Sequence, residues 1–311
     1  MTTPKLPPSV HVIVRDWLCA NHVLLRGAEE NVLVDSGYLT RAGRTLELLQ
    51  RPEALGSRHL HRIVNTHGHS DHIGGNAALQ RVYGCRIAVP AGEAPLIAAW
   101  DTRGLWLDYA GQEAERFMYD EVISPGDALE LGGLTWQALA APGHDMGALV
   151  FYCAEERILI SGDALWHDGF GILRPERGAR PALAAARATL DALSRLDVAT
   201  VIPGHGQPFR DFRGALDRAF RRIEAFEADS SRVARHFLKV MLAFALLHLR
   251  RLPEPELVSY LERTPCYVEV CGEFLGLDMP RLGELLVDEL AEAGVIARRD
   301  GFLVPLDVRE H

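Results

Sequence analysis

The sequence predicts a layered α/β or α+β sandwich followed by a smaller, mostly helical C-terminal domain. Three observations carry this. Short β-branched strands cluster twice in the first two thirds, with helices between them. From about Asp211 the pattern turns helical, with no Pro and one Gly as far as Arg251. And 311 residues, at roughly 150 per domain, suit about two domains.

In order, His11–Val14, His22–Leu25 and Asn31–Val34 read as strands, because apolar β-branched residues sit between Gly and acidic turns. Arg41–Leu49 reads as an amphipathic helix, Arg62–Asn65 as a buried strand, Asp71–Val82 as a helix and Ile87–Pro90 as a strand. Ala91–Tyr119 is helical in pattern and rich in aromatics. Leu134–Leu139, Leu149–Cys153, Arg157–Ser161 and Thr200–Ile202 form the second strand cluster, with helix Pro181–Leu196 before the last. Asp211–Arg251, Glu254–Arg263 and Arg281–Ala293 read as helices, and Val295–Arg298 with Phe302–Pro305 as a hairpin across Asp300-Gly301. Helix, helix, hairpin is a winged-helix-like ending. The expected division is 1–228 and 229–311.

Hydrophobic residues at 48% and charged residues at 24% exclude a disordered chain, and no apolar run approaches the roughly 18 residues of a membrane span. The start, MTTPKLPPSV, lacks a basic segment followed by an apolar one, so no signal peptide is expected. Five cysteines, an odd number without paired spacing, fit reduced thiols in a cytoplasmic protein. A formal charge of −9 disfavours nonspecific attraction to nucleic acid or anionic membrane. Locally, Asp211–Arg251 holds nine basic residues against five acidic ones, a balance of +4.

The strongest motif is Thr66-His67-Gly68-His69-Ser70-Asp71-His72, directly after a strand. Imidazole and carboxylate are good ligands for zinc and related divalent ions. His67 and His69 alternate along an extended turn, whereas Asp71 and His72 start a helix and diverge, which suits two neighbouring metals better than one. Three later turns, Pro142-Gly143-His144, Ser161-Gly162-Asp163 and Pro203-Gly204-His205, each place one ligand-type side chain after a strand. Asp145 and His167 flank these ligands without being needed by the set.

Taken together, these residues resemble the metallo-β-lactamase superfamily over about residues 10 to 228, by the HxHxDH motif, the later His, the Gly-Asp and the final Gly-His. The resemblance implies an α+β fold, the αββα metallo-β-lactamase sandwich, with metals at one edge between two sheets. It implies one metal on His67, His69 and His144, another on Asp71, His72 and His205, and Asp163 bridging both. It also implies a hydroxide held between two divalent ions as nucleophile, with Asp71 orienting it or handling a proton. Zinc is the first choice of metal, with iron or manganese as alternatives. Asp35, ending an early strand, is expected to orient a metal ligand.

The expected reaction is hydrolysis of a small carboxylic ester, thioester or lactone. True zinc β-lactamases generally lack the bridging Asp. Flavodiiron oxidoreductases resemble HxExDH, where this chain has His69. Hydroxyacylglutathione hydrolases usually show THHHxDH, where this chain has Gly68. Trp106, Trp166 and Phe170 are candidate walls of an acyl pocket. The alternatives are RNA phosphodiester cleavage, drawing on the +4 stretch and the winged-helix-like tail, and a non-catalytic ligand-sensing effector. The apolar run Phe237–Leu249 offers a homodimer face.

Overall fold

The computed structural model describes residues 4–306. Residues 1–3, part of the start read for a signal peptide, and 307–311, the end of the expected C-terminal domain, lie outside the described residues.

Six strands form the first sheet in sequential order: β1 (Val10–Ile13), β2 (His22–Arg26), β3 (Asn31–Val34), β4 (Arg62–Val64), β5 (Arg86–Pro90) and β6 (Glu121–Ile123). Its first three strands are antiparallel and β3 to β6 are parallel. The second sheet holds β7 (Ala128–Leu131), β8 (Leu134–Ala140), β9 (Leu149–Cys153), β10 (Ile158–Gly162) and β11 (Thr200–Pro203), in the order β11-β10-β9-β8-β7. Only β10 and β11 are parallel there.

Side-chain alternation explains the layering. On β2 and β3, Val23, Leu25, Val32 and Val34 join Trp136, Ala138, Phe151, Ile160 and Ile202 of the second sheet in one central core. Leu24 and Leu33 point the other way, against Leu49 of α1 (Ala42–Leu49) and Leu79 of α3 (Asn76–Tyr83), which follows the single-turn α2 (Ser70–Ile73). On the second sheet, Val150, Tyr152, Leu159 and Val201 face out. They meet α6 (Pro181–Leu193) and α7 (Phe212–Ala228). The result is helix, sheet, sheet, helix. Each fully buried Leu or Val contributes about 1.5–3 kcal/mol. Trp136 is fully buried, and its indole N–H donates to the Leu131 carbonyl at 3.1 Å.

Three sequence expectations are corrected. The segment 91–119 is not one helix. Only α4 (Ala94–Ala99) and α5 (Leu107–Ala110) form, because Trp100 and Trp106 take left-handed backbone angles (φ 53° and 62°) and 111–120 runs irregularly to β6. The helix expected at 71–82 is split at Gly74-Gly75 into α2 and α3. The helical stretch 211–251 breaks at Asp229, whose extended backbone (φ −150°) caps α8 (Ser230–Leu249) by accepting from Ser231 N.

Beyond α8 come β12 (Leu252–Pro253), α9 (Leu257–Arg263), α10 (Pro265–Val270), α11 (Met279–Glu292), β13 (Ile296–Arg299) and β14 (Phe302–Pro305). The three strands form an antiparallel sheet in the order β12-β14-β13. The buried stripe of α8, including Phe237, Leu238, Leu242 and Leu246, packs on Leu261, Tyr267, Leu282, Leu286 and Leu303. That stripe of the run 237–249 is therefore covered by the chain's own tail. The same cluster takes in Tyr109, Ala110 and Ile172, so the tail rests on α5 and on the loop after Asp163. Among the described residues no helix is long and apolar enough to cross a membrane. All five cysteines are buried free thiols.

Candidate metal centre

The fold gathers the motif residues at one edge. Strands β3, β4 and β5 are parallel, so the loops after them leave the first sheet together, carrying Asp35, His67–His72 and Glu93. Strands β8 and β10 both run antiparallel to β9 and thus run alike, and β11 is parallel to β10. His144, Asp163 and His205 follow these three strands and reach the same edge from the second sheet. Binding at the carboxyl ends of parallel strands is a general consequence of this topology.

All seven expected ligands are buried. Their donor atoms fall into three groups, each within 4.8 Å: His67, His69 and His144; His67, His72 and Asp163; Asp71, His72 and His205. In the first group His69 Nδ1 lies 3.1 Å from His67 Nε2 and 2.8 Å from His144 Nε2. Imidazole donors about 2.0–2.1 Å from one tetrahedral ion stand roughly 3.3 Å apart. In the other, His205 Nε2 lies 3.1 Å from Asp71 Oδ2 and His72 Nε2 lies 3.7 Å from the same oxygen. Asp163 lies between them. Its Oδ1 is 3.5 Å from His72 Nε2, and its Oδ2 is 3.4 Å from His144 Nε2 and 3.9 Å from His205 Nε2.

The fit to a metal rests on an orphan atom. His72 Nε2 is buried with no hydrogen-bond partner, while Nδ1 of the same ring bonds Asp35 Oδ2 at 2.8 Å. A buried ring nitrogen left unpaired among carboxylates is costly, and a cation satisfies it. Asp35 also accepts from Thr66 N at 2.9 Å and Thr66 Oγ1 at 2.8 Å. It holds a left-handed backbone (φ 58°), uncommon for a residue with a side chain. Asp35 thus ties the strand end to the HxHxDH turn and fixes the His72 ring.

Electrostatics follow from burial and neighbours. Burial, then the charge His72 carries, pushes His67 well below the usual imidazole range. Burial, then His144, brings His69 down to about 4. For His72 burial also opposes the charge, but Asp35, Asp71 and Asp163 outweigh it and hold the ring well above 6.5. Burial opposes the charge on Asp71 and Asp163 too, and the surrounding imidazoles still hold both carboxyls low.

The pocket candidates separate. Trp106 is partly buried, with its ring 4.8 Å from that of His69. Trp166 lies 5.3 Å from the His205 ring and its indole N–H donates to Asp163 Oδ1 at 3.2 Å. Phe170 is only 3% exposed and packs in the outer core against Phe226. It lines a small cleft with His144 and Asp163, and the Arg222 guanidinium lies 5.6 Å from its ring centre. His167 pairs with Asp168 and Phe209, outside the three donor groups.

Sequence reasoning missed Trp17. It is half exposed and stacks nearly parallel on His205, 5.3 Å away at 7°. Nothing in its local pattern separates it from a core aromatic. Two basic residues of α7 brace the fold beside the site. Arg218 donates to the His167 carbonyl, and Arg222 to those of Asp168 and Phe170, so both clamp the loop that follows Asp163.

Comparison with known proteins agrees with this geometry. Residues 15–205 match the family model of the metallo-beta-lactamase superfamily. A hydroxyacylglutathione hydrolase of Hyphomonas neptunium is 35% identical over 109 residues, 35% of each chain, so this chain spans about a third of that relative's length. An acyl-coenzyme A thioesterase, MBLAC2, of Homo sapiens is 28% identical over 227 residues, 65% of this chain and 76% of that one. A metallo-beta-lactamase family protein of Thermus thermophilus, TTHA1429, superposes with a TM-score of 0.56 at 24% identity. That match covers 97% of this chain and 100% of the other, so the likeness of fold extends through the C-terminal helices.

Proposed function

This chain belongs to the metallo-beta-lactamase superfamily, and from that premise we propose that it is a dinuclear metal-dependent hydrolase of small acyl thioesters. The observation that carries the reading is the convergence of five imidazoles and two carboxylates into two adjoining donor groups with Asp163 between them. His67, His69 and His144 would hold one divalent ion, and Asp71, His72 and His205 the other. Such ions lower the pKa of a bound water towards about 7 and polarise a carbonyl oxygen. An all-nitrogen-and-oxygen donor set suits zinc and also accepts iron or manganese.

The chain's own residues supply the rest. Asp71, kept anionic, would orient the attacking water. Trp106 beside His69, and Trp17 with Trp166 beside His205, give the site apolar walls that favour an acyl group. Thioesters come first among acyl substrates because the hydroxyacylglutathione hydrolase and the acyl-coenzyme A thioesterase are both named for thioesters. We also place the boundary between the catalytic domain, 1–228, and the C-terminal domain, 229–311, at the break before α8.

Partners within the fold count against the RNA reading of the basic stretch. Besides Arg218 and Arg222, Arg232 pairs with Asp229, Arg235 and Lys239 pair with Glu289, and Arg213 donates to the Ser194 carbonyl. These cations are spent on the fold. The complete donor set likewise argues against a non-catalytic effector. A substrate panel tests the proposal: an S-acyl glutathione, an acyl-coenzyme A, a lactone and a short RNA, each with zinc-loaded protein. Thioesters should turn over fastest. RNA cleavage without thioester turnover would overturn the reading.

A further inference from the structure

Glu93 lies after β5, outside every motif, and is 3% exposed. Its carboxyl fills the gap between two ligand-bearing turns. A Cβ built on Gly68 would collide with Glu93 Oε2, and one on Gly147 would collide with Oε1. A side chain at either position would displace the Glu93 carboxyl, so the close approach depends on both glycines. On one side the Gly68 amide donates to this carboxyl; on the other the carboxyl bonds the Asp145 side chain. Asp145 Oδ1 in turn accepts from Gly147 N at 2.7 Å, and its Oδ2 stands 3.7 Å from His69 Nε2. That nitrogen is buried and has no hydrogen-bond partner, while Nδ1 of the same ring faces His67 and His144.

We propose that Glu93 is a positioning residue for the metal centre, bridging the 67–69 and 144–147 turns and holding Asp145 against His69 so that this ring presents Nδ1 to its partners. The inference rests on the metal reading above. Only one carboxylate of a touching pair can be charged without large cost, and here the proton stays on Glu93: burial, then Asp145, pushes its carboxyl up to about 9. A hydrogen bond links Glu93 to Asp145, and Asp145 is the member nearer His69. A carboxylate beside the distal ring nitrogen favours the proton there and the lone pair on Nδ1. Gly68, the departure from THHHxDH, is the room this bridge needs.

The test compares zinc affinity by competition with a chromophoric chelator, with the His69 tautomer read by nitrogen-15 NMR of the zinc-loaded protein. Glu93→Gln can still donate to Asp145 and accept from Gly68, so it should bind two zinc ions within about threefold of wild type. Glu93→Leu keeps the volume and loses both bonds; it should weaken one of the two ions by roughly 10–100-fold, the usual effect of removing such a support. Asp145→Asn leaves Glu93 in place, serves if Glu93→Leu fails to fold, and should weaken the same ion. Wild-type affinity and an unchanged tautomer in Glu93→Leu or Asp145→Asn would overturn the role. So would a Gln variant as weak as the Leu variant. A wild-type protein that binds fewer than two zinc ions would overturn the metal reading and this inference together.

Discussion

The ring of Phe237, on the tail helix α8, lies 5.7 Å edge-on from that of Trp106, whose own ring lies 4.8 Å from His69. A second link runs parallel to it. Gln112 accepts from Ser70 Oγ at 2.6 Å and reaches Met241 of α8 through its amide. The tail therefore packs against Trp106, the ring beside His69, and through Gln112 against the turn that carries Ser70.

Phe237→Leu tests that link. It keeps a large apolar group, so folding should weaken by about 1 kcal/mol. Metal content should stay at wild type, while KM for a thioester rises severalfold as Trp106 loosens. A variant that loses metal, or one with unchanged KM, would contradict the relationship.

Asp163 faces both donor groups through its two oxygens. Asp163→Ala should lower bound metal below two ions per chain, measured by elemental analysis after dialysis. An unchanged stoichiometry would remove Asp163 from its bridging place.

Metal uptake should release a proton from His72. Without metal, Asp35, Asp71 and Asp163 hold that ring charged at neutral pH against the penalty of burial. A metal at Nε2 must displace the proton, so affinity should rise from about pH 6 to 8 and fall on acidification. Calorimetric zinc titrations in two buffers of different ionisation heat should differ accordingly. Equal heats would contradict the charged state of His72.

Glu93 gives a pH signature of stability. Its folded carboxyl titrates at about 9 and an unfolded glutamate near 4.5. Between those values the folded chain keeps a proton that the unfolded chain has lost, so stability falls as pH rises. Glu93→Gln lacks this loss. Denaturation of metal-free protein should show the Gln variant gaining on wild type between about pH 5 and 8. Parallel curves would contradict the protonated Glu93.

Much of this was legible because ligand chemistry is local. His67, His69, Asp71 and His72 stand within six residues after an apolar strand, and His144, Asp163 and His205 each follow another strand. Apolar runs bounded by turn residues likewise announced β2, β3 and β9. What stayed hidden depends on tertiary contacts. The aromatic segment 91–119 reads as helix, yet Trp100 and Trp106 adopt left-handed angles while their side chains pack against two different core clusters. β6 and β7 are short and half polar, with no periodic signal of their own. Glu93 and Trp17 meet the site across the fold, from positions whose neighbours in sequence say nothing of metal.

The central claim is tested most directly by thiol release from a small acyl thioester, with metal-replete protein beside His67→Ala. The account predicts saturable turnover that is abolished by chelation, restored by zinc and absent from the variant. Absence of turnover from wild-type protein carrying two bound metals would contradict it.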